Sequence, residues 1–210
     1  MLERLAEFAV EEPAHRAGED HPMRQVTRSV AADAAAWDPA TRSRVQGIFD
    51  SLAPDWHSRH TEERLTPLRD ALERGRPRAG RCVELGCGTG PASAVLAEHF
   101  EAMVSVDLSM EMLRRAAGGC AHRLRADASR LPFYDGSVST LVLMNMLLFA
   151  EEMDRVLAPG GTLLWINSRG AGTPIHLSPE DLLHAMPGDW EGRTANAGQG
   201  LWCVIRRAGD

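Results

Sequence analysis

Residues 83 to 90 read Val-Glu-Leu-Gly-Cys-Gly-Thr-Gly, and an acidic residue, Asp107, closes the next apolar run, Met103-Val-Ser-Val. An apolar strand that ends in a glycine turn and opens a helix brings bare backbone against a ligand. A carboxylate at the tip of the following strand can accept both hydroxyls of a ribose. The spacing therefore predicts a nucleoside site built on Gly86, Gly88, Gly90 and Asp107. The dinucleotide fingerprint Gly-x-Gly-x-x-Gly places a glycine at its sixth position, where helix and sheet pack closely, but Pro91 stands there. Glu84, two places before the first glycine, suits a cationic amino-acid end and would repel a pyrophosphate. Ser109 is placed to cap the next helix, which leaves Asp107 for the sugar.

The elements that must position these groups begin near residue 80. Strands are predicted at 81 to 86, 102 to 107, 123 to 126, 138 to 144 and 162 to 167. Helices between them use Ala92, Val95, Leu96 and Phe100, then the segment after Ser109, then 150 to 157. Such alternation implies a parallel sheet covered on both faces, with ligands at the carboxyl ends of its strands. Glu84, Asp107, Asp127 and Asn145 fall at or near those ends. Ser178-Pro179 starts a last helix, and Trp190-Glu-Gly-Arg-Thr and Leu201-Trp-Cys-Val-Ile-Arg read as two strands joined by a short loop, most easily antiparallel neighbours. Residues 1 to 78 read as helices: Leu2, Leu5 and Phe8 at helical spacing, then Val26, Val30 and Ala34, then Val45, Ile48, Phe49 and Leu52 after Asp38-Pro39, then Leu68 and Leu72 after Thr66-Pro67, with Gly75 as a stop. Residues 11 to 24, polar and carrying Pro and Gly, read as a linker.

Four segments, in order, carry a resemblance. Residues 83 to 90 resemble motif I of the class I S-adenosylmethionine-dependent methyltransferases, and Asp107-Leu108-Ser109-Met110-Glu111-Met112-Leu113 resembles the ribose-binding stretch that follows. Ala126-Asp127-Ala128 with Leu131-Pro132-Phe133 is similar to the adenine-side motif, and residues 152 to 163 to the helix-turn-strand further on. The resemblance covers about 83 to 168. It implies a doubly wound, Rossmann-like α/β fold: a mostly parallel seven-stranded sheet with an antiparallel last strand, here with an N-terminal helical extension (1 to 78) before the donor-binding core (79 to 210). It implies S-adenosylmethionine as cofactor and S-adenosylhomocysteine as product. The cofactor residues it implies are Glu84, Gly86, Gly88, Gly90, Asp107, Leu108, Met112, Asp127 and Ala128, with Asn145 at the cleft.

Composition narrows the partners. The 210 residues are 44% hydrophobic with a net charge of -6, enough apolar material for a full core and too little positive charge for a nucleic-acid substrate. All 23 basic residues are arginine, which removes lysine Schiff bases and Walker-type phosphate loops; the arginine and alanine richness suggests a bacterial source. The start is acidic and amphipathic, unlike a secretory signal, and no apolar run is long enough to span a membrane. The four cysteines form no Cys-x-x-Cys pair and are expected as free thiols in a reducing cytoplasm.

The interval after the strand at 162 to 167 is short, so the acceptor cover is expected from the N-terminal helices. Asp55-Trp56-His57-Ser58-Arg59-His60 resembles the aromatic segment before motif I in small-molecule methyltransferases of the quinone-biosynthesis type, with Trp56-His57 where that group tends to carry Tyr-Asp. Trp56, His57, His60 and His176 are the acceptor-side candidates. His57 and His60 alone lack the further ligands of a metal site, so no metal is expected. No residue is assigned as a base, and Met144, Met146 and Met153 are expected to fill core. Methyl transfer to a small molecule is the leading reading. A non-catalytic binder of the same nucleoside and a nicotinamide-dependent oxidoreductase remain as alternatives.

Overall fold

The computed structural model describes residues 1–12, 18, 20–59, 61–116 and 122–209. Among these, the strands are β1 (Leu2–Arg4), β2 (Arg81–Leu85), β3 (Ala102–Asp107), β4 (Arg123–Arg125), β5 (Val138–Met144), β6 (Leu157–Asn167), β7 (Trp190–Ala197) and β8 (Gly200–Arg207). They form one sheet in the order β1-β7-β8-β6-β5-β2-β3-β4. The helices are α1 (Pro22–Ala32), α2 (Pro39–Leu52), α3 (Thr66–Arg74), α4 (Pro91–His99), α5 (Met110–Arg115), α6 (Ala150–Val156) and α7 (Pro179–Ala185). Pairing is parallel from β6 through β4, and β8 runs antiparallel to both β6 and β7. The doubly wound sheet with an antiparallel last strand is the expected one.

Two local differences have physical causes. Residues 2 to 4 are extended, and they add an eighth strand parallel to β7 through Leu2↔Gly192 and Arg4↔Thr194. Beyond it, Leu5 and Phe8 N–H continue onto the carbonyls of Thr194 and Asn196 at 2.9 and 3.0 Å. Three apolar residues spaced by three do not sustain an isolated helix, whereas the open edge of β7 offers a row of unpaired backbone groups. The segment at 11 to 24 also ends earlier than expected, because Pro22 already opens α1 with His21 as its cap.

Strand alternation divides the core. Val83, Leu85, Leu141, Leu143, Leu163 and Trp165 point to the face covered by α6, α7 and the N-terminal helix α1. Cys82, Val142, Leu164 and Ile166 point to the face covered by α3 and α4. Glu84 shares this second face by the same period of two. On it, α3 is clamped to the sheet by Asp70, which is 4% exposed. Its carboxylate accepts from Trp202 Nε1 at 2.6 Å and from Arg74 Nε and Nη2 at 2.6 and 2.5 Å. Arg74 also donates to the Ala6 carbonyl at 2.8 Å, so one cluster joins helix, sheet and edge strand. Replacing Asp70 by Ala strands a buried indole N–H and a guanidinium, and urea unfolding is expected to show a loss of about 3 kcal/mol. A midpoint equal to wild type would mean the clamp carries no stability.

Candidate functional site

The sheet order reverses at β2, whose neighbours β3 and β5 leave in opposite directions, which is the place beyond the carboxyl ends where open α/β sheets bind ligands. Gly86, Gly88 and Gly90 all take left-handed backbone, with φ of 71°, 57° and 86°. Gly86 and Cys87 N–H donate to the Val106 carbonyl at 2.8 and 3.1 Å, which carries the turn sideways onto the end of β3. There Asp107 Oδ2 accepts from Gly88 N–H at 2.8 Å, and Oδ1 accepts from Ser109 N–H at 2.8 Å. The turn and the carboxylate thus meet, as their spacing predicts. Asp107 is not left to the sugar alone, however, because it also ties the start of α5. A carboxylate has about four acceptor positions, so each oxygen keeps capacity for one further donor, which suits the two hydroxyls of a ribose. Burial raises the Asp107 carboxyl above its ordinary value, the two N–H groups oppose that rise, and the charge of Asp50 adds to it.

The glycines matter for a second reason. A Cβ at Gly88 would stand 3.0 Å from Trp56 Nε1, and one at Gly86 would stand 2.6 Å from Met146 Sδ. Trp56, from the 3-10 segment Ala53–Arg59, therefore lies over the turn, with Phe49 edge-on to it at 5.7 Å. Met146, expected in the core, is partly buried and packs against it, with its sulfur beside Gly86. Asp50 of α2 was not foreseen: it accepts from Ser109 Oγ at 2.5 Å and from Gln46 Nε2 at 3.3 Å. Its only sequence signal is an acid beside the apolar residues of α2. Met112 is 1% exposed and belongs to the core through its side chain, while its N–H takes the Ser109 cap at 3.0 Å. Leu108 is half-buried and presents its carbonyl to Arg125 Nε at 3.2 Å.

On the far side of Asp107, Asp127 accepts from Trp37 Nε1 through both oxygens, at 3.1 and 3.2 Å. Ser129 N–H and Oγ donate to Oδ1 at 2.9 and 2.8 Å, and Arg42 Nη1 approaches Oδ2 at 3.5 Å. Its acceptor positions are filled in this arrangement. Ala128 beside it is buried. At the end of β5, Asn145 has a left-handed backbone with φ of 53°, uncommon for a side-chain-bearing residue and frequent at functional sites. Its Nδ2 donates to Ser168 Oγ at 3.0 Å, and its Oδ1 accepts from Ser168 N–H at 2.9 Å. Arg64 Nη2 and Nε reach the same hydroxyl at 3.0 and 3.3 Å. His176 is held against Asn167 Oδ1 at 2.9 Å, an oxygen that Trp165 Nε1 shares at 3.2 Å. The side chain of His57, and His60 altogether, lie outside the described residues.

Glu84 lies beneath the turn, 2% exposed, with Ser93 Oγ and Ser105 Oγ donating to Oε2 at 2.5 and 2.9 Å. Burial pushes its carboxyl from 4.5 up to about 7, against the pull of the two hydroxyls. The folded chain therefore holds a proton that the unfolded chain has released across that window. Stability must fall as pH rises from about 4.5 through about 7, by up to about 3 kcal/mol from this group. Glu84→Gln is expected to flatten that part of the pH profile of unfolding free energy. An unchanged slope would remove Glu84 as its source.

Residues 83–165 match a family model described as a methyltransferase domain. The chain is 30% identical over 159 residues to the trans-aconitate 2-methyltransferase of Azoarcus sp. (strain BH72), covering 69% of this chain and 61% of that one. It is 39% identical over 132 residues to the malonyl-[acyl-carrier protein] O-methyltransferase of Herminiimonas arsenicoxydans, covering 59% of this chain and 48% of that one. The chain thus spans about half to three-fifths of these curated relatives. A solved complex of DhpI with S-adenosylhomocysteine shares the fold with a TM-score of 0.62 at 18% identity, over 79% of this chain and 96% of that one. Over residues 83–165 the chain is thus similar to a methyltransferase domain, and its sheet shares the fold of the solved methyltransferase-like neighbour.

Proposed function

We propose that this protein transfers the methyl group of S-adenosylmethionine to a small-molecule acceptor. The observation that carries the reading is the meeting of Gly88 and Asp107, a bare turn and a carboxylate with two acceptor positions in reserve. The cofactor fits these residues. The left-handed turn 86–90 would admit its methionine end over Glu84, Asp107 would take the ribose hydroxyls, and Asp127 with Ala128 would border the adenine. When bound, it supplies a methyl group on a sulfonium, ready for in-line displacement. The chain's own task is to align an acceptor with that axis and exclude water.

Of the N-terminal region, the stretch from Trp37 to Trp56 serves as the lid in this reading. Trp56 covers Gly88, Asp50 holds Ser109 and Trp37 holds Asp127. Arg24, 1% exposed, anchors α1 to the carbonyls of Ala171 and Thr173 at 2.5 and 3.0 Å. The relative named for trans-aconitate supports a small acceptor, and the net charge of -6 speaks against nucleic acid. No helix among the described residues is long and apolar enough to cross a membrane. We place the reaction in a reducing bacterial cytoplasm, in keeping with the buried free thiols of Cys82, Cys87 and Cys203; Cys120 is outside the described residues.

Calorimetric titration with S-adenosylhomocysteine tests the donor site. Saturable binding is expected, and Asp107→Ala should weaken it by about 1 to 3 kcal/mol, the worth of hydrogen bonds to a charged group. No binding by a folded sample ends the proposal. Trp37→Phe keeps a ring against Phe149 but returns acceptor capacity to Asp127. It should tighten the same binding by about 1 kcal/mol, roughly fivefold; weaker binding would instead make the indole part of the site. Turnover of labelled donor on a metabolite extract then separates an enzyme from a protein that only binds the nucleoside.

A further inference from the structure

We propose that the indole of Trp37 is a built-in plug of the adenine seat, an autoinhibitory contact that must swing out before the donor binds. The inference rests on the methyl-transfer reading above, in which Asp127 borders the adenine. Trp37 Nε1 faces both oxygens of Asp127, at 3.1 and 3.2 Å. The flanks are taken as well: Ser129 N–H and Oγ donate to Oδ1 at 2.9 and 2.8 Å, and Arg42 Nη1 lies 3.5 Å from Oδ2. A carboxylate accepts best near its own plane, where only one position faces both oxygens at once. An adenine amino group that donates to Asp127 must therefore take the place of the indole nitrogen, and the base behind it the place of the indole.

The indole resembles what it would exclude. It is a flat bicycle with an N–H donor on its edge, and adenine is a flat bicycle with an amino donor on its edge. The Phe149 ring stands edge-on to Trp37 at 5.4 Å with an interplanar angle of 65°, a pairing that any flat π ring can make. Trp37 also packs against the buried cluster that includes Ala128 and Leu131, the residues on either side of Ser129 and Arg130. It is half-buried rather than sealed in, so the ring has a way out.

The connector that carries Trp37 can move without undoing its neighbours. Between α1 and α2 it holds one 3-10 turn, Ala34–Ala36, of which Ala34 and Ala35 are exposed. Each helix is closed independently of it: Asp33 N–H ends α1 on the Ser29 carbonyl at 2.9 Å, and Asp38 Oδ1 caps α2 through Thr41 N–H at 2.6 Å. Arg24 holds α1 to the carbonyls of Ala171 and Thr173. Swinging Trp37 out therefore leaves both helix ends and the α1 anchor intact. It gives up the N–H to Asp127 and the edge contact with Phe149, which are the contacts a bound adenine restores. Donor affinity is then lowered by the fraction of molecules in which the seat is open.

The test is fluorine NMR on the full chain with 5-fluorotryptophan at its five tryptophan positions, the Trp37 signal being the one that Trp37→Phe removes. Saturation with S-adenosylhomocysteine should shift that signal and raise its H2O-to-D2O isotope shift toward that of an exposed ring, because an expelled indole meets water. In parallel, Trp37→Gly should bind free adenine at least tenfold more tightly than wild type by calorimetry, and added indole should compete for the emptied seat. If Trp37→Gly does not fold, the fluorine signal of the unaltered sequence decides alone. The plug is overturned if S-adenosylhomocysteine binds while the Trp37 isotope shift stays constant or falls, which would place the indole against the bound base as part of its seat. It is equally overturned if folded Trp37→Gly binds adenine no better than wild type. Failure of the folded wild type to bind S-adenosylhomocysteine rejects the donor reading instead, and the plug with it.

Discussion

The Asp107 carboxylate fastens two pieces of backbone at one point, the Gly88 N–H of the turn after β2 and the Ser109 N–H that begins α5. A charge removed from water in this way must be hydrogen-bonded, and the N–H groups that satisfy it are those of the segments that shape the crevice. Sheet register sets the geometry. Leu85 pairs with Val106, and the Val106 carbonyl then takes two successive N–H groups from the chain just past the end of β2. Bending the chain onto that carbonyl requires left-handed backbone at Gly86 and Gly88, which glycine adopts without steric penalty. The ligand-facing turn is therefore a continuation of the sheet ladder.

Buried or half-buried polar groups at the candidate site need partners in the absence of a ligand. The N-terminal segment supplies them. Trp37 gives its indole N–H to Asp127, the Ser109 hydroxyl turns to Asp50, and the Trp56 ring covers Gly88. In the proposed reading, ligand binding at Asp127 would be an exchange of donors rather than a gain of one, and its net contribution would be correspondingly small.

Between residues 81 and 207 the fold was legible because short apolar runs alternate with glycine, proline and cap residues, and each strand lies beside a neighbour of parallel or hairpin sense. The meeting of Gly88 and Asp107 was legible for the same reason, as they terminate adjacent strands. What escaped depends on contacts distant in sequence. The helical spacing of Leu2, Leu5 and Phe8 was overridden by an edge strand, and Asn196 meets Glu7 189 positions away. Trp37 stands 90 positions before Asp127, and Arg64 104 before Ser168. Nothing local marks either pair.

Glu84 and Asp107 show how one alternation serves two purposes. Asp107 ends its strand and turns into the crevice, whereas Glu84 is one residue earlier in its own strand and points under α4 between two serine hydroxyls. With its carboxyl near 7, Glu84 exchanges its proton readily in the physiological range. Loss of that proton leaves a negative charge under the glycine turn, which weakens the fold but favours a cationic amino-acid end above it. If Glu84 lies under the donor's methionine end, as proposed, stability and donor binding would pull this one group in opposite directions as pH rises. A glutamine would relieve the fold of a buried ionisable group, and in the proposed reading it would do so at the expense of that attraction.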